Sequence, residues 1–427
     1  MARPVLAVIF GTFTLRLATG ITGSMLVYYF KAFPEYGGAP VSALEVGILG
    51  ALFYASELIG SPIFGILSDR IGHRRVMLIG PAFGGIAVVI TAVTVSLPVI
   101  AFTRLLEGGS TAASVPSILG FIAFATAADE LLRGKAVARF EAATLAGLML
   151  GFVVGGVLFT ALHAAAFLAN AAIYLVSFLI YKYGVPAHAE PEPAGRRHGA
   201  DAGLGRYLVI LRGSHVWLLA PTWVAINAVL GLFTSQTLFQ LVRSEHPDPK
   251  FANQALMGGF SPVQLSLGLA IGGLLFFAGL IYWGGKFKAI RRTTLVLAGI
   301  VGGAVLLVAG AAVNHVGQDA LPLLIGLLVV AAGGLFLLAG ATPAAIGLLA
   351  DMTEAYPNDR GAIMGLYSVF LGLGQITGSI LGGIAAQEAG LDGIFVTSFI
   401  LLAIAVLPIS RLRRYEHHVG AGAPTHG

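Results

Sequence analysis

The sequence predicts an all-α membrane protein of twelve transmembrane helices, arranged as two pseudo-symmetric six-helix bundles. Three observations carry this. The first is composition: of 427 residues, 57% are hydrophobic and 11% charged, the mean hydropathy is +0.89, and Gly occurs 58 times. Average soluble domains carry about 25% charged residues and about 7% Gly, so a soluble globular enzyme is excluded. The excess of Gly suits helices whose backbones approach closely in lipid. The second is a series of twelve apolar stretches of spanning length, and the third is an internal repeat.

A span needs about 20 mostly apolar residues. Such stretches fall near residues 5–30, 44–66, 76–96, 98–125, 141–161, 164–183, 214–241, 264–284, 293–313, 321–349, 362–386 and 393–411. The first is interrupted by Arg16 and lacks a small-residue cleavage site, so it reads as a retained span rather than a secretory signal. An even number of spans puts both termini on one side. Of the 25 Lys and Arg, 20 fall in loops on that side; Lys31, Arg243 and Lys250 lie opposite, and Arg16 and Arg104 lie within spans. The positive-inside rule therefore places both termini in the cytoplasm of a multi-pass plasma-membrane protein. Basic residues distributed this way set topology, and no nucleic-acid partner is expected from them. The Pro-, Gly- and charge-rich stretch 184–213 reads as a cytoplasmic linker. It divides the chain into an N-terminal bundle (1–183), a C-terminal bundle (214–412) and a short tail (413–427).

Shifting the sequence by 227 residues pairs Pro116 with Pro343, Gly120 with Gly347, Arg133 with Arg360, Gly134 with Gly361, Gly147 with Gly374, Gly151 with Gly378, Gly155 with Gly382 and Gly156 with Gly383. A gapless run across a span end, a polar loop and the next span indicates two parallel repeats. Related six-span repeats are a recurring plan among secondary transporters.

After the second span the chain reads Gly65-Ile-Leu-Ser-Asp69-Arg70-Ile-Gly72-His73-Arg74-Arg75. This resembles the signature loop of the major facilitator superfamily, which implies the major facilitator fold and a cytoplasmic latch. The latch would be formed by Gly65, Asp69, Arg70, Gly72, His73 and Arg74, with Asp129 as a further acid at the next loop on that side. His73 stands where the family usually has Arg. Span 4 carries Arg104-Leu-Leu-Glu107-Gly108-Gly109, similar to the family's proton-coupling motif, with Glu107 in place of the usual Gln. Span 5 carries Gly147-Leu-Met-Leu-Gly151-Phe-Val-Val-Gly155-Gly156, which resembles the pattern linked to antiporter-type exporters, with Phe152 in place of proline. Its glycines form a flat face, expected to pack on span 8 or span 2.

Charge inside a span is costly, about 2.5 to 3.5 kcal/mol on insertion scales, so such residues should face the bundle interior and be paired. Arg16, Glu57, Arg104 and Glu107 form a balanced set in the N-terminal half, expected as Arg16–Glu57 and Arg104–Glu107 pairs; Glu141 reads as interfacial. The repeat mates of Arg104 and Glu107 are Ala331 and Gly334, so coupling is expected in that half alone. A proton taken by Glu107 or Glu57 would release an arginine and bias alternating access. The alternative is that both pairs only specify packing. The resemblance implies a central cavity lined by spans 1, 4, 7 and 10, to which Thr19, Thr22, Tyr28, Trp223, Asn227, Phe233 and Gln236 could contribute.

No Cys, metal-ligand spacing, phosphate-binding loop or nucleophile set is apparent, so no catalytic residue, metal or cofactor is expected. The resemblance of the span 4 motif implies a proton gradient as the energy source. The leading expectation is proton-coupled efflux of small hydrophobic or amphipathic compounds, by a monomer. Alternatives are a metabolite uptake symporter or facilitator, and a lipid- or lysolipid-translocating protein.

Overall fold

The computed structural model describes residues 3–127, 129–186, 216–244, 248–286, 289–316, 320–354 and 360–419. Most of the expected linker and the end of the tail lie outside them. Ten helical segments among the described residues are long and apolar enough to cross a membrane. Two of these, 132–184 and 368–414, hold 53 and 47 residues. At about 1.5 Å per residue each exceeds twice the roughly 30 Å hydrocarbon core. Each also contains a break, so each is long enough for two crossings.

In the N-terminal half the helices are α1 (Arg3–Ala32), α2 (Ala43–Ile71), α3 (His73–Ala92), α4 (Leu97–Ala125), α5 (Glu130–Leu162) and α6 (Ala166–Gly184). Their ends follow local chemistry. Ser42 and Glu45 form a capping box at the start of α2: the Glu45 amide donates to Ser42 Oγ, and the Ser42 amide donates to Glu45 Oε2 at 2.7 Å. Gly72, at φ 96°, turns the chain from α2 into α3, a conformation that a side chain would strain. α5 ends at His163, φ 51°, before α6 begins.

In the C-terminal half they are α7 (Val216–Leu241), α8 (Pro262–Gly284), α9 (Arg292–His315), α10 (Leu321–Ala339), α11 (Ala341–Glu354) and α12 (Arg360–Val419). The expected tenth span is two helices. Trp283 lies against Gly340 and its Nε1 donates to the Phe336 carbonyl at 2.9 Å, drawing an acceptor out of the helical ladder where the chain bends. The last two expected spans are the arms of α12, separated at Ala389 and Gly390. A polar cluster fixes that break. Gln254 Nε2 donates to the Ala389 carbonyl, the Leu391 amide donates to Gln254 Oε1, and Asn314 Nδ2 donates to Asp392 Oδ1, which also meets His315 Nε2 at 3.0 Å.

The described residues fall into two compact units: one holds those up to 186 with 241–244 and 258–270, the other holds 216–240, 248–257 and 271 onward. In the first unit α1 packs on α5 and α6, α2 on α4, and α3 on α4 and α6. In the second, α9 is the hub for α10, α11 and α12. The cores are apolar, and so are many outer faces. α10 exposes Leu321, Leu323, Ile325, Leu328, Val329 and Val330, a surface suited to hydrocarbon rather than water.

Candidate functional site

The in-span charges of the first unit gather around α4. Arg104 and Glu107 form an ion pair one turn apart, buried to 12% and 3% side-chain exposure. The Arg104 guanidinium also lies over the Phe53 ring at 4.7 Å, and its Nε donates to the Leu49 carbonyl at 3.4 Å. Glu107 uses Oε2 for the pair, which leaves Oε1 buried with no hydrogen-bond partner. Gly108 lets α2 approach until a Cβ there would stand 3.1 Å from the Glu57 amide, so Glu57 sits beside the pair.

Arg16 departs from expectation. No ion pair within 4 Å joins it to Glu57 among the described residues; its Nη1 donates to Thr111 Oγ1 at 3.4 Å, one turn beyond Glu107 on α4. It lies in Coulombic range of both Glu57 and Glu141. Helix partnership is the reason: α1 packs on α5 and α6 and touches α4, whereas α2 packs on α3 and α4. Glu141 of α5, read from sequence as interfacial, is exposed in the structure.

The loop motif is built locally. Asp69 and Arg70 are exposed at the end of α2. The His73 ring packs against Gly120 of α4, and its Nδ1 is 3.2 Å from Ser68 Oγ. Gly65 faces Pro116, and Arg74 donates to the Lys182 carbonyl at the end of α6. Asp129 caps α5, accepting from the Leu132 amide at 2.9 Å.

The glycine face of α5 meets chiefly α1; of the two expected partners it reaches span 8, now α8, through Gly156, and not α2. A Cβ on Gly147 would stand 3.0 Å from Arg16 Cβ; one on Gly151 would stand 2.8 Å from Gly20 Cα; one on Gly155 would strike Ser24 and Ile21. Gly156 faces Pro262 and Ser266 at the start of α8. α1 can be the partner because it offers Gly20 and bare backbone at the contact. Phe152 rests on Gly23, the ring 3.2 Å from where a Cβ would be, and α5 runs on helically through that position.

The second unit repeats this seam. Gly374, Gly378 and Gly382 of α12 abut Val224, Asn227, Ala228 and Leu232 of α7. Gly20 against Leu148 becomes Gly231 against Gln375. The register makes Asn227 the structural mate of Arg16, Gln375 that of Leu148 and Ser379 that of Phe152. Sequence reading passed over Gln375 and Ser379; the mismatch of a polar residue with an apolar repeat mate was the available signal.

The expected cavity residues divide. Thr22 is fully buried and accepts from Asn170 Nδ2 at 2.8 Å, while Asn170 also donates to the Ala18 carbonyl. It therefore ties α1 to α6 and is not a cavity wall in this conformation. Thr19 donates to its own helix at Leu15 and is half-buried. Tyr28, Trp223, Asn227 and Gln236 are all buried, at 4% exposure or less, and Phe233 is half-buried. Asn227 Nδ2 donates to the Trp223 carbonyl at 2.8 Å.

Stacked apolar helices of spanning length in two units, with charge buried among them, define a multi-pass membrane protein. The family model described as Major Facilitator Superfamily matches residues 8–258 and 250–425, so the chain belongs to that superfamily. It is similar to quinolone resistance protein NorA of Staphylococcus aureus, 23% identical over 289 residues, covering 67% of this chain and 68% of that one. It is also similar to multidrug resistance protein 2 of Bacillus subtilis (strain 168), 24% identical over 351 residues, covering 81% and 80%. Among solved structures, nucleoside transporter NupG superposes with a TM-score of 0.69 at 13% identity, covering 97% of this chain and 99% of that one, which shows the shared fold.

Proposed function

We propose that this protein exports small hydrophobic or amphipathic compounds in exchange for protons, with both termini in the cytoplasm of the plasma membrane. The observation that carries the reading is the buried Arg104–Glu107 pair, with Glu107 Oε1 unpartnered and Arg16 held one turn away on Thr111. A buried carboxylate with one open oxygen can accept a proton without displacing a bond. Once neutral, Glu107 loses its hold on Arg104, which keeps Phe53 and the Leu49 carbonyl as partners. The released charge interaction would bias alternating access between the two repeats. Inward passage of the proton would then drive substrate outward. The resistance named for the two bacterial relatives supports the outward direction.

Uptake of a polar metabolite is the second reading, favoured by the buried amides Asn227, Gln236 and Gln240 of α7. Purified protein in liposomes with an internal pH dye separates the two. Export predicts proton movement when a lipophilic cation is added, lost in Glu107→Gln. Downhill substrate movement with no proton signal overturns the coupling.

A further inference from the structure

Asn227 and Gln375 stand level with each other on facing helices, because a Cβ on Gly374 would lie 2.6 Å from Asn227 Cβ and one on Gly231 would lie 2.8 Å from Gln375 Cα. Ser379 follows one turn along α12 and its hydroxyl is 3.5 Å from the Gly231 carbonyl. All three are buried, at 5% exposure or less. Gln375 Oε1 is buried and receives no hydrogen bond. A buried, unmade hydrogen bond costs about 1 to 3 kcal/mol, and its repeat mate Leu148 shows that an apolar side chain fits the same register of the seam. A residue that pays this penalty where leucine would serve calls for an explanation outside the packing.

We propose that Gln375, flanked by Asn227 and Ser379, is a specificity-determining residue of the substrate site, its Oε1 accepting a hydrogen bond from an N–H or O–H of an otherwise lipophilic substrate. This rests on the transport reading above and narrows its substrate class to apolar compounds that carry at least one donor. The site lies wholly in the second unit and contains no formal charge. Recognition there is separate from the charged set around α4. A site built to complete one hydrogen bond discriminates against an analogue that lacks the donor, because the oxygen then stays unsatisfied.

Two dyes of near-equal size test this: rhodamine 6G carries two N–H donors, and tetramethylrhodamine ethyl ester carries none. Binding of each to the purified full chain is read by fluorescence anisotropy. The wild type should bind rhodamine 6G about five- to tenfold more tightly, the range expected of one hydrogen bond. Gln375→Leu should erase that ratio while leaving the affinity for tetramethylrhodamine ethyl ester unchanged, and its melting temperature should equal or exceed that of the wild type. Gln375→Asn should restore part of the ratio. Equal binding of the two dyes by the wild type, a ratio preserved in Gln375→Leu, or absence of binding overturns the proposal. Proton flux in liposomes, read in parallel, reports on the transport reading separately: a binding ratio that depends on Gln375 without any dye-driven proton movement would sustain the site and defeat antiport.

Discussion

The α1–α5 seam and the α7–α12 seam share a backbone and differ in what lines it. Both are closed by three glycines four residues apart, with a fourth glycine opposite, Gly20 in one and Gly231 in the other. Along the first seam stand Arg16, Leu148 and Phe152; along the second, Asn227, Gln375 and Ser379. One repeat has kept a charge among apolar neighbours, the other a run of neutral hydrogen-bonding groups. The packing geometry thus tolerates changes in side-chain chemistry as long as the glycines stay, which would let the proposed coupling and the proposed recognition reside in different copies of one bundle.

The largest effect should come from closing that geometry. Gly151→Val and Gly378→Val each force a branched side chain onto facing backbone, and overpacking of this kind costs about 1 to 3 kcal/mol or more. Both variants should melt well below the wild type in a thermal-shift assay. Gly326→Ala, where nothing lies within 4 Å of the place a Cβ would take, should melt at or slightly above it. A tolerated Gly151→Val would show that the seams do not hold the bundles.

Exchanging the mates sharpens the comparison next. Asn227→Arg places an unpaired charge in the second seam at about 2.5 to 3.5 kcal/mol, and should reduce the yield of folded protein. Arg16→Asn should fold, because its mate shows that an amide fits, but should lose substrate-driven proton movement in liposomes. The smallest effect belongs to Asn170→Leu. It removes two hydrogen bonds from α6 to α1, and interhelical bonds in membranes average about 0.6 kcal/mol each, so a fall of a few degrees in melting temperature is expected without change in coupling.

Much of this was legible in the sequence, for reasons that differ by residue. Span positions follow from apolar runs, and the Arg104–Glu107 pair from spacing along one helix. The glycines of α5 announced a flat face, but a face does not name its partner: α1 was identified only by the three-dimensional contact. Arg16 departs for the same reason, since its partner Thr111 comes from a different helix. Thr22 looked like a cavity residue because a threonine in a span gives no hint of the asparagine, Asn170, that will occupy it from 148 residues away.

The α1–α5 seam also bears on how the chain is made. Leu17 meets Gly151 across the seam, so α1 enters the bilayer well over a hundred residues before its main partner exists. At about 5 to 20 residues per second, α1 waits on the order of ten seconds with Arg16 lacking Thr111. Until α4 and α5 arrive to receive it, α1 carries an in-span charge that costs about 2.5 to 3.5 kcal/mol on insertion scales.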